Sequence, residues 1–442
     1  MNALTPRLPV ACGVDIGSTN VKIIAIDPSG RIVARASRPT PRDAEQLSID
    51  AGVLFASIEE MLAEVCGDAF IVHAVRCAGI GEDGVLVDQH LRPLTKALAW
   101  FDPRRQRIFR WLHPDLGADE SFDAESDAVR TLVGWAWARM QSIEGEARSW
   151  VAIADIPGAL WAGKAFMSDT LASRTGAWRS GDRQWAADRV QLTLGSTELL
   201  PPVVPSGAVV GLMRSPALRA AGVLSPDAIV VAGGHDHPIG GWAADRLTPG
   251  AVLDSMGTAE VIVAQSPDGR INRASHIEVA PGIRSAGTTL LRVEELSRNI
   301  NWAAQDPGVA IALRALLDGV REPAPVLDSD YFIPGARGGA TPSYALNAPR
   351  DAHARASAVL GALAHAGRDA VDAVLGGLGR ASEVHLAGGW VRSPGWLDIK
   401  TTVNTYPTIP ILEPEVTAVG TALLAATALD WTPDPHLSLG VR

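Results

Sequence analysis

Asp15-Ile16-Gly17-Ser18-Thr19-Asn20-Val21-Lys22 stands between two apolar runs, Val10 to Ile16 and Val21 to Asp27. The runs read as strands and the octapeptide as the tight turn joining them. Gly17 lets the backbone turn sharply and approach a phosphate, while Ser18, Thr19 and the local N–H groups can donate to phosphate oxygens. Asp15, at the end of the first strand, is placed to hold Mg²⁺ directly or through water. Lys22 either neutralises developing charge or points to solvent. An ordinary hairpin turn would read the same way. The Gly-x-x-x-x-Gly-Lys-Ser/Thr spacing of a Walker A loop is absent.

Outward from this turn, Pro28-Ser29-Gly30 forms a second turn and Ile32 to Ser37 a third strand, which completes a β-meander. Leu47 to Cys66 has helical spacing, with Leu54, Ile58, Met61, Leu62 and Val65 on one face. Ala69 to Ile80 returns to strand. Alternating strands and helices follow, so the first half reads as α/β. Ala251 to Met256, the turn Gly257-Thr258 and Glu260 to Gln265 then repeat the opening device. Asp15-Ile-Gly-Ser-Thr and Asp254-Ser-Met-Gly-Thr are its two copies, expected in a duplicated fold with a phosphate turn in each half, although two unrelated hairpins would look alike. Gly319 to Pro349 reads as loop, Ala352 to Leu378 as helix, Glu383 to Leu386 as strand and Pro394 to Val403 as helix. A boundary near Gly240 to Pro249 divides the chain into residues 1–245 and 246–442.

Composition narrows the function classes. The chain has 442 residues, 39 Lys and Arg against 49 Asp and Glu, and a net charge of −10. An acidic body argues against a nucleic-acid or anionic-membrane partner. No run of apolar residues is long enough for a membrane span; Val416 to Leu429 reads as a buried core helix. Cys12, Cys66 and Cys77 read as buried thiols, and the expected location is the cytoplasm.

Other segments carry candidate chemistry. Gly233-Gly234-His235-Asp236-His237 follows the apolar strand Ile229 to Ala232. A carboxylate just past a strand end, flanked by glycines, is a candidate general base, and Asp236 is that residue. A rival reading makes His235 and His237 zinc ligands, but no matching cluster supplies a third or fourth; plain loop and packing roles are a further reading. Gly257-Thr258 fits a second phosphate turn. Gly388-Gly389, with Arg392 and Ser393, fits an adenosine cradle at the end of a strand, with Trp396 covering the base or simply packing. Glu82, Asp83, Trp100 and Asp102 are candidates for a polyol pocket, because carboxylates accept from hydroxyls and aromatic faces pack on sugar C–H groups.

In this order, the segments resemble the FGGY family of carbohydrate kinases over nearly the whole chain. The resemblance rests on Asp15 to Lys22, the Trp100-x-Asp102-x-Arg104 element, Ser168 to Gly176 followed by Trp185, Gly233 to Asp236, Ser255 to Thr258, Phe332-Ile333-Pro334 with Thr341-Pro342, and Ala387 to Ile399 with Gly420-Thr421-Ala422. It implies two duplicated ribonuclease-H-like domains of the actin/hexokinase superfamily around an ATP cleft. It further implies a cytoplasmic ATP- and Mg²⁺-dependent kinase of a small sugar or polyol, and a homodimer is common for such folds. By resemblance, Asp236 deprotonates the sugar hydroxyl, Asp15 positions Mg²⁺, and the Thr19 and Thr258 turns hold phosphates. An ATPase or sugar sensor of the same fold is the alternative. The chain is xylulokinase-like, with departures: Glu82-Asp83-Gly84 stands where xylulose kinases usually carry Met-His-Gly, and Phe101 where they carry Asn. The Arg-Glu pair of glycerol kinases is not found. The particular sugar stays open.

Overall fold

The computed structural model describes residues 6–116, 122, 127–267, 276–283, 287–335, 340–376 and 383–440. The chain forms two compact units. Unit 1 comprises residues 1–239, 279–288 and 417–438, and unit 2 comprises 240–278, 289–416 and 439–442.

Unit 1 is built on the opening meander. Strands β1 (Leu8–Ile16), β2 (Asn20–Ile26) and β3 (Ile32–Pro39) pair antiparallel in sequence. Helix α1 (Ala51–Cys66) follows. It starts four residues later than its periodicity suggests, because the Asp50 carboxylate accepts from the N–H groups of Gly52 and Val53 and caps it there. Ser48–Ile49 instead pairs with Ala97–Leu98 as a short strand. Strands β4 (Phe70–Gly79), β5 (Val209–Leu212) and β6 (Leu224–His235) complete a six-stranded sheet of order β5-β6-β4-β1-β2-β3. The face of α1 bearing Leu54, Ile58, Met61 and Leu62 is fully buried against it, in a core with Val14, Ile23, Val75 and Val230. The three cysteines are free and buried.

The backbone direction within this sheet positions the chemistry. β4 runs parallel to both β1 and β6, and Gly79 is in register with Ile16 on one side and His235 on the other. Three neighbouring strands therefore end at one edge. The segments that leave it are Gly17–Thr19, Ile80–Asp83 and the helix α2 (Asp236–Leu247). The carboxyl edge of parallel strands is where open α/β sheets bind ligands.

Unit 2 repeats the device. β7 (Val252–Met256) pairs antiparallel with β8 (Ala259–Ser266), as β1 does with β2. Helix α3 (Ala352–Leu375) precedes β9 (Val384–Ala387), which runs parallel to β7. Helix α4 (Pro394–Val403) leads to β10 (Thr408–Pro410), parallel to β9. Met256 and Ala387 close their strands at the same edge, so the loops Gly257–Thr258 and Gly388–Arg392 emerge side by side. Gly388 has φ +89, and a Cβ there would lie 2.3 Å from the Met256 carbonyl oxygen, so only glycine fits between these loops.

The two aspartates of the repeat differ in duty. Asp254 is fully buried and meets Lys400 Nζ at 2.7 Å, and Lys400 also bonds Glu260. That carboxylate ties the hairpin to α4. Burial pushes the Glu260 carboxyl up to about 8, Asp254 adds to the rise, and Lys400 opposes it. Asp15 is 8% exposed and lies across the strand pair from Lys22.

Helix α5 (Val416–Thr427) is the buried helix expected from its composition. From Thr417 onward it belongs to unit 1 and packs on β1: a Cβ on Gly13 would lie 2.3 Å from the Ala418 carbonyl oxygen and 2.4 Å from the Ala422 nitrogen. Gly420-Thr421-Ala422 thus sits on a helix of unit 1, while Ala387 to Ile399 lies in unit 2.

Candidate active site

The first turn is pinned from behind through its carbonyls. Thr40 Oγ1 donates to Gly17 O at 2.7 Å, Arg42 Nε to Ser18 O at 3.0 Å, and the Thr40 N–H to Thr19 O at 2.9 Å. The Gly17 N–H closes the turn on Asn20 O at 3.0 Å. The N–H groups of Ser18 and Thr19 donate to no group among the described residues. A turn with its acceptors occupied and its donors available presents positive dipole ends to an anion. Trp100 Nε1 donates to Ser18 Oγ at 2.8 Å, which places an aromatic pair, Trp100 edge-on to Phe101, beside the turn.

The second turn has the same design. Gly257 O accepts from Ser297 Oγ at 3.1 Å and from Trp390 Nε1 at 2.9 Å; Thr258 O accepts from the Ser297 N–H at 3.0 Å. The Thr258 N–H donates to no described group. Gly257, Thr258, Gly389, Trp390, Arg392 and Ser393 share a hollow of about 480 Å³ in unit 2. Ser393 caps α4 and also donates to Leu317 O at 2.6 Å. Trp396 packs and does not cover a base: it is fully buried, with its Nε1 3.0 Å from Met256 Sδ. Trp390, which the sequence reading passed over, is the tryptophan in the hollow. A second cavity of unit 2, about 610 Å³ and lined by Leu316, Glu322, Tyr331, Asp398 and Thr402, holds none of the residues expected from sequence.

Asp236 opens α2 at the end of β6. Its Oδ1 accepts the His237 N–H at 2.7 Å and lies 3.1 Å from His235 Nε2. The loop before it is held from three sides. Arg76 donates to Ala232 O at 2.8 Å and Gly233 O at 2.9 Å, Ser206 Oγ also donates to Gly233 O, and Thr170 Oγ1 accepts the His235 N–H at 3.0 Å. The Asp236 side chain keeps 24% of its surface. Its carboxyl is raised above the ordinary range, first by burial, then by Glu82; His237 and Arg174 oppose the rise.

The carboxylates expected to line a polyol pocket divide. Glu82 pairs with Arg174, whose Nε donates to it at 2.8 Å, and both also act electrostatically on Asp236. Asp83 is fully buried against Arg105, with Oδ1 3.3 Å from Nη2, and burial raises it to about 7. Asp102 is chelated by Arg104, whose guanidinium lies over Trp137. Trp100 and Phe101 stay 36% and 42% exposed. The structure thus brings Glu82, Asp236 and the Gly17–Thr19 turn to one sheet edge and commits the buried carboxylates of Asp83 and Asp102 to ion pairs with Arg105 and Arg104. Arg42, Arg76, Arg105 and Arg174 are the partners that sequence spacing did not reveal.

A profile of the FGGY family of carbohydrate kinases, N-terminal domain, matches residues 10–241, more than half of the chain. The chain belongs to the FGGY family of carbohydrate kinases. It is 25% identical over 439 residues to the L-fuculokinase of Salmonella typhi, covering 93% of this chain and 90% of that one. It is 27% identical over 448 residues to the xylulose kinase of Streptomyces coelicolor, covering 95% and 88%. The solved xylulose kinase of Rhodospirillum rubrum superposes with a TM-score of 0.83 at 22% identity, covering 97% and 92%. The duplicated α/β fold is accordingly the actin/hexokinase-like fold expected from the motifs, and the chain is an ATP-dependent carbohydrate kinase. No helix among the described residues is long and apolar enough to cross a membrane.

Proposed function

We propose that this kinase phosphorylates a hydroxyl of a ketose, such as a pentulose, or of a polyol, with Asp236 as general base. The observation that carries this is the register of Ile16, Gly79 and His235, which delivers the Gly17–Thr19 turn, Glu82 and Asp236 to one edge of the unit 1 sheet. Relatives named as xylulose kinase and L-fuculokinase support the substrate class.

In this reading Asp236 takes the proton of the sugar hydroxyl as its oxygen attacks the γ-phosphorus. The bond from that phosphorus to the bridging oxygen of ADP breaks, and ADP leaves. Phosphoryl transfer asks the protein chiefly for positioning and charge neutralisation. In unit 1, the N–H groups of Ser18 and Thr19 receive phosphate oxygens, and Lys22 adds positive charge. In unit 2, Gly257 and Thr258 do the same, while Gly388, Gly389, Arg392 and Ser393 form the adenosine cradle. Trp100 offers a face to sugar C–H groups, and Glu82 accepts from hydroxyls; Asp83 and Asp102 shape the pocket through their arginines.

Asp15 suits a hard cation: it is an oxygen donor at a strand end with a small accessible surface, next to the phosphate turn. Mg²⁺ held there, directly or through water, would neutralise phosphate charge. The chain's own contribution is to keep that carboxylate fixed in β1, opposite Lys22.

The test is an ADP-release assay with MgATP over pentuloses, hexuloses, pentitols, tetritols and glycerol. Turnover that depends on one of these compounds supports the reading. ATP hydrolysis indifferent to all of them would favour an ATPase or sensor of the same fold.

A further inference from the structure

We infer that His235, Asp236 and His237 form a binding site for a transition-metal ion such as Zn²⁺, and that its occupation switches the kinase off. The sequence offered two histidines and no third ligand. The structure supplies the third from between them, because the chain turns from strand to helix at Asp236 and folds both imidazoles back toward its carboxylate. Asp236 Oδ1 lies 3.1 Å from His235 Nε2 and 3.7 Å from His237 Nδ1. One ligand atom from each residue falls within 4.8 Å of the other two. Tetrahedral zinc with bonds of about 2.0–2.2 Å sets its ligand atoms roughly 3.3–3.6 Å apart, which the two separations from Asp236 Oδ1 nearly meet, and the imidazole nitrogens lie within 4.8 Å of each other.

The donor set decides the ion. Two imidazoles and one carboxylate suit Zn²⁺ or Cu²⁺, whereas Mg²⁺ prefers oxygen donors and keeps its water. The working Mg²⁺ of a kinase therefore does not compete for these nitrogens. Three protein ligands leave a coordination position open to water. The site is reachable, since the side chains of His237 and Asp236 are 35% and 24% exposed. His235 is held by its backbone N–H to Thr170 and is buried, so the cluster is largely preformed.

The switching half of this inference rests on the reading of Asp236 as base: a carboxylate oxygen bound to the metal no longer accepts the proton of a sugar hydroxyl. The binding half does not depend on that reading.

The experiment titrates the full-length protein with Zn²⁺ by calorimetry in excess Mg²⁺, and in parallel follows sugar phosphorylation as Zn²⁺ is added. His237→Gln is carried through both. The expected result is one Zn²⁺ per chain, weakened by at least about tenfold in His237→Gln, since even indirect ligand support is commonly worth that much. Loss of turnover should track occupancy in the natural protein and need correspondingly more Zn²⁺ in the variant. No binding in excess Mg²⁺, or equal affinity in both proteins, overturns the site. Equal inhibition of both proteins points to zinc acting on the nucleotide and overturns the switch. Binding lost in the variant with turnover insensitive to Zn²⁺ in both keeps the site and overturns the switch. If no sugar is phosphorylated at all, the reading of Asp236 has failed and the calorimetry still decides the site.

Discussion

Thr170 Oγ1 accepts the backbone N–H of His235 at 3.0 Å, one residue before Asp236. Thr170 is fully buried, and its hydroxyl also bonds Ser168 Oγ at 2.9 Å. The Ser168–Thr170 segment is therefore a buttress that fixes where β6 ends and α2 begins. Removing the acceptor leaves a buried N–H unsatisfied, at a cost of about 1–3 kcal/mol. Thr170→Val should lower kcat about tenfold or more with the KM for ATP unchanged, and Thr170→Ser should restore it. A variant with normal kcat and a lowered melting temperature would make the contact purely structural.

The pH profile should report the surroundings of Asp236. A base must be ionised to act, and burial raises this carboxyl above the usual aspartate range. Activity should thus fall on the acid side at a higher pH than an ordinary aspartate would give. Glu82 adds to the rise, so Glu82→Gln should move the acid limb of kcat/KM to lower pH. An unmoved or upward-moved limb would remove Glu82 from the electrostatics of Asp236.

Trp390 links the Gly388–Arg392 loop to the Gly257–Thr258 turn through its bond to Gly257 O, and these are the proposed adenosine cradle and second phosphate turn. Trp390→Ala should raise the KM for ATP several-fold, by roughly the 1 kcal/mol of one hydrogen bond plus the lost ring contact, and leave the KM for sugar alone. Trp390→Phe keeps a ring without the N–H and should fall between. Unchanged ATP kinetics in both would separate this loop from nucleotide binding.

Three buried carboxyls should each take stability away as pH rises. Asp155 is buried, and its carboxyl is raised to about 7 by burial, with Asp169 adding and the Ser168 N–H and Arg76 opposing. A raised carboxyl keeps its proton in the folded chain after the unfolded chain has lost it. Stability from this group is thus present at low pH and declines from the ordinary aspartate range up to about 7, by at most about 1.4 kcal/mol per pH unit. Asp83 and Glu260, raised to about 7 and about 8, act in the same direction. Asp155→Asn should therefore flatten part of the decline in melting temperature between about pH 5 and pH 8. A variant whose decline matches the natural protein would mean that Asp155 is ionised throughout.

How much of this was legible beforehand depends on the range of the interactions. The β1–β2 turn, the β7–β8 turn and α4 were readable because each is set by neighbours in sequence: apolar runs, a glycine, a capping serine before proline. The start of α1 lies four residues inside its periodic run, because Asp50, within that run, caps the helix. Long-range pairing was not legible. Nothing near Asp83 or Asp102 in sequence announces that arginines consume their carboxylates, since Asp83–Arg105 and Glu82–Arg174 close only when strands and helices pack. The likeness of Asp15 and Asp254 was visible, while their difference was not, because Lys400 reaches Asp254 from another helix. Trp390 and Trp396 are alike in sequence, and only α4 and its neighbours decide which is buried.

The most direct measurement is turnover and ATP affinity of Asp236→Asn, the sugar being the one that supports turnover in the natural protein. The amide preserves shape and removes the base. Turnover should drop by about 10²-fold to 10⁴-fold while ATP binding by calorimetry stays within about twofold. Near-normal turnover in this variant would contradict the account, because the proton would then leave by a route that does not pass through Asp236.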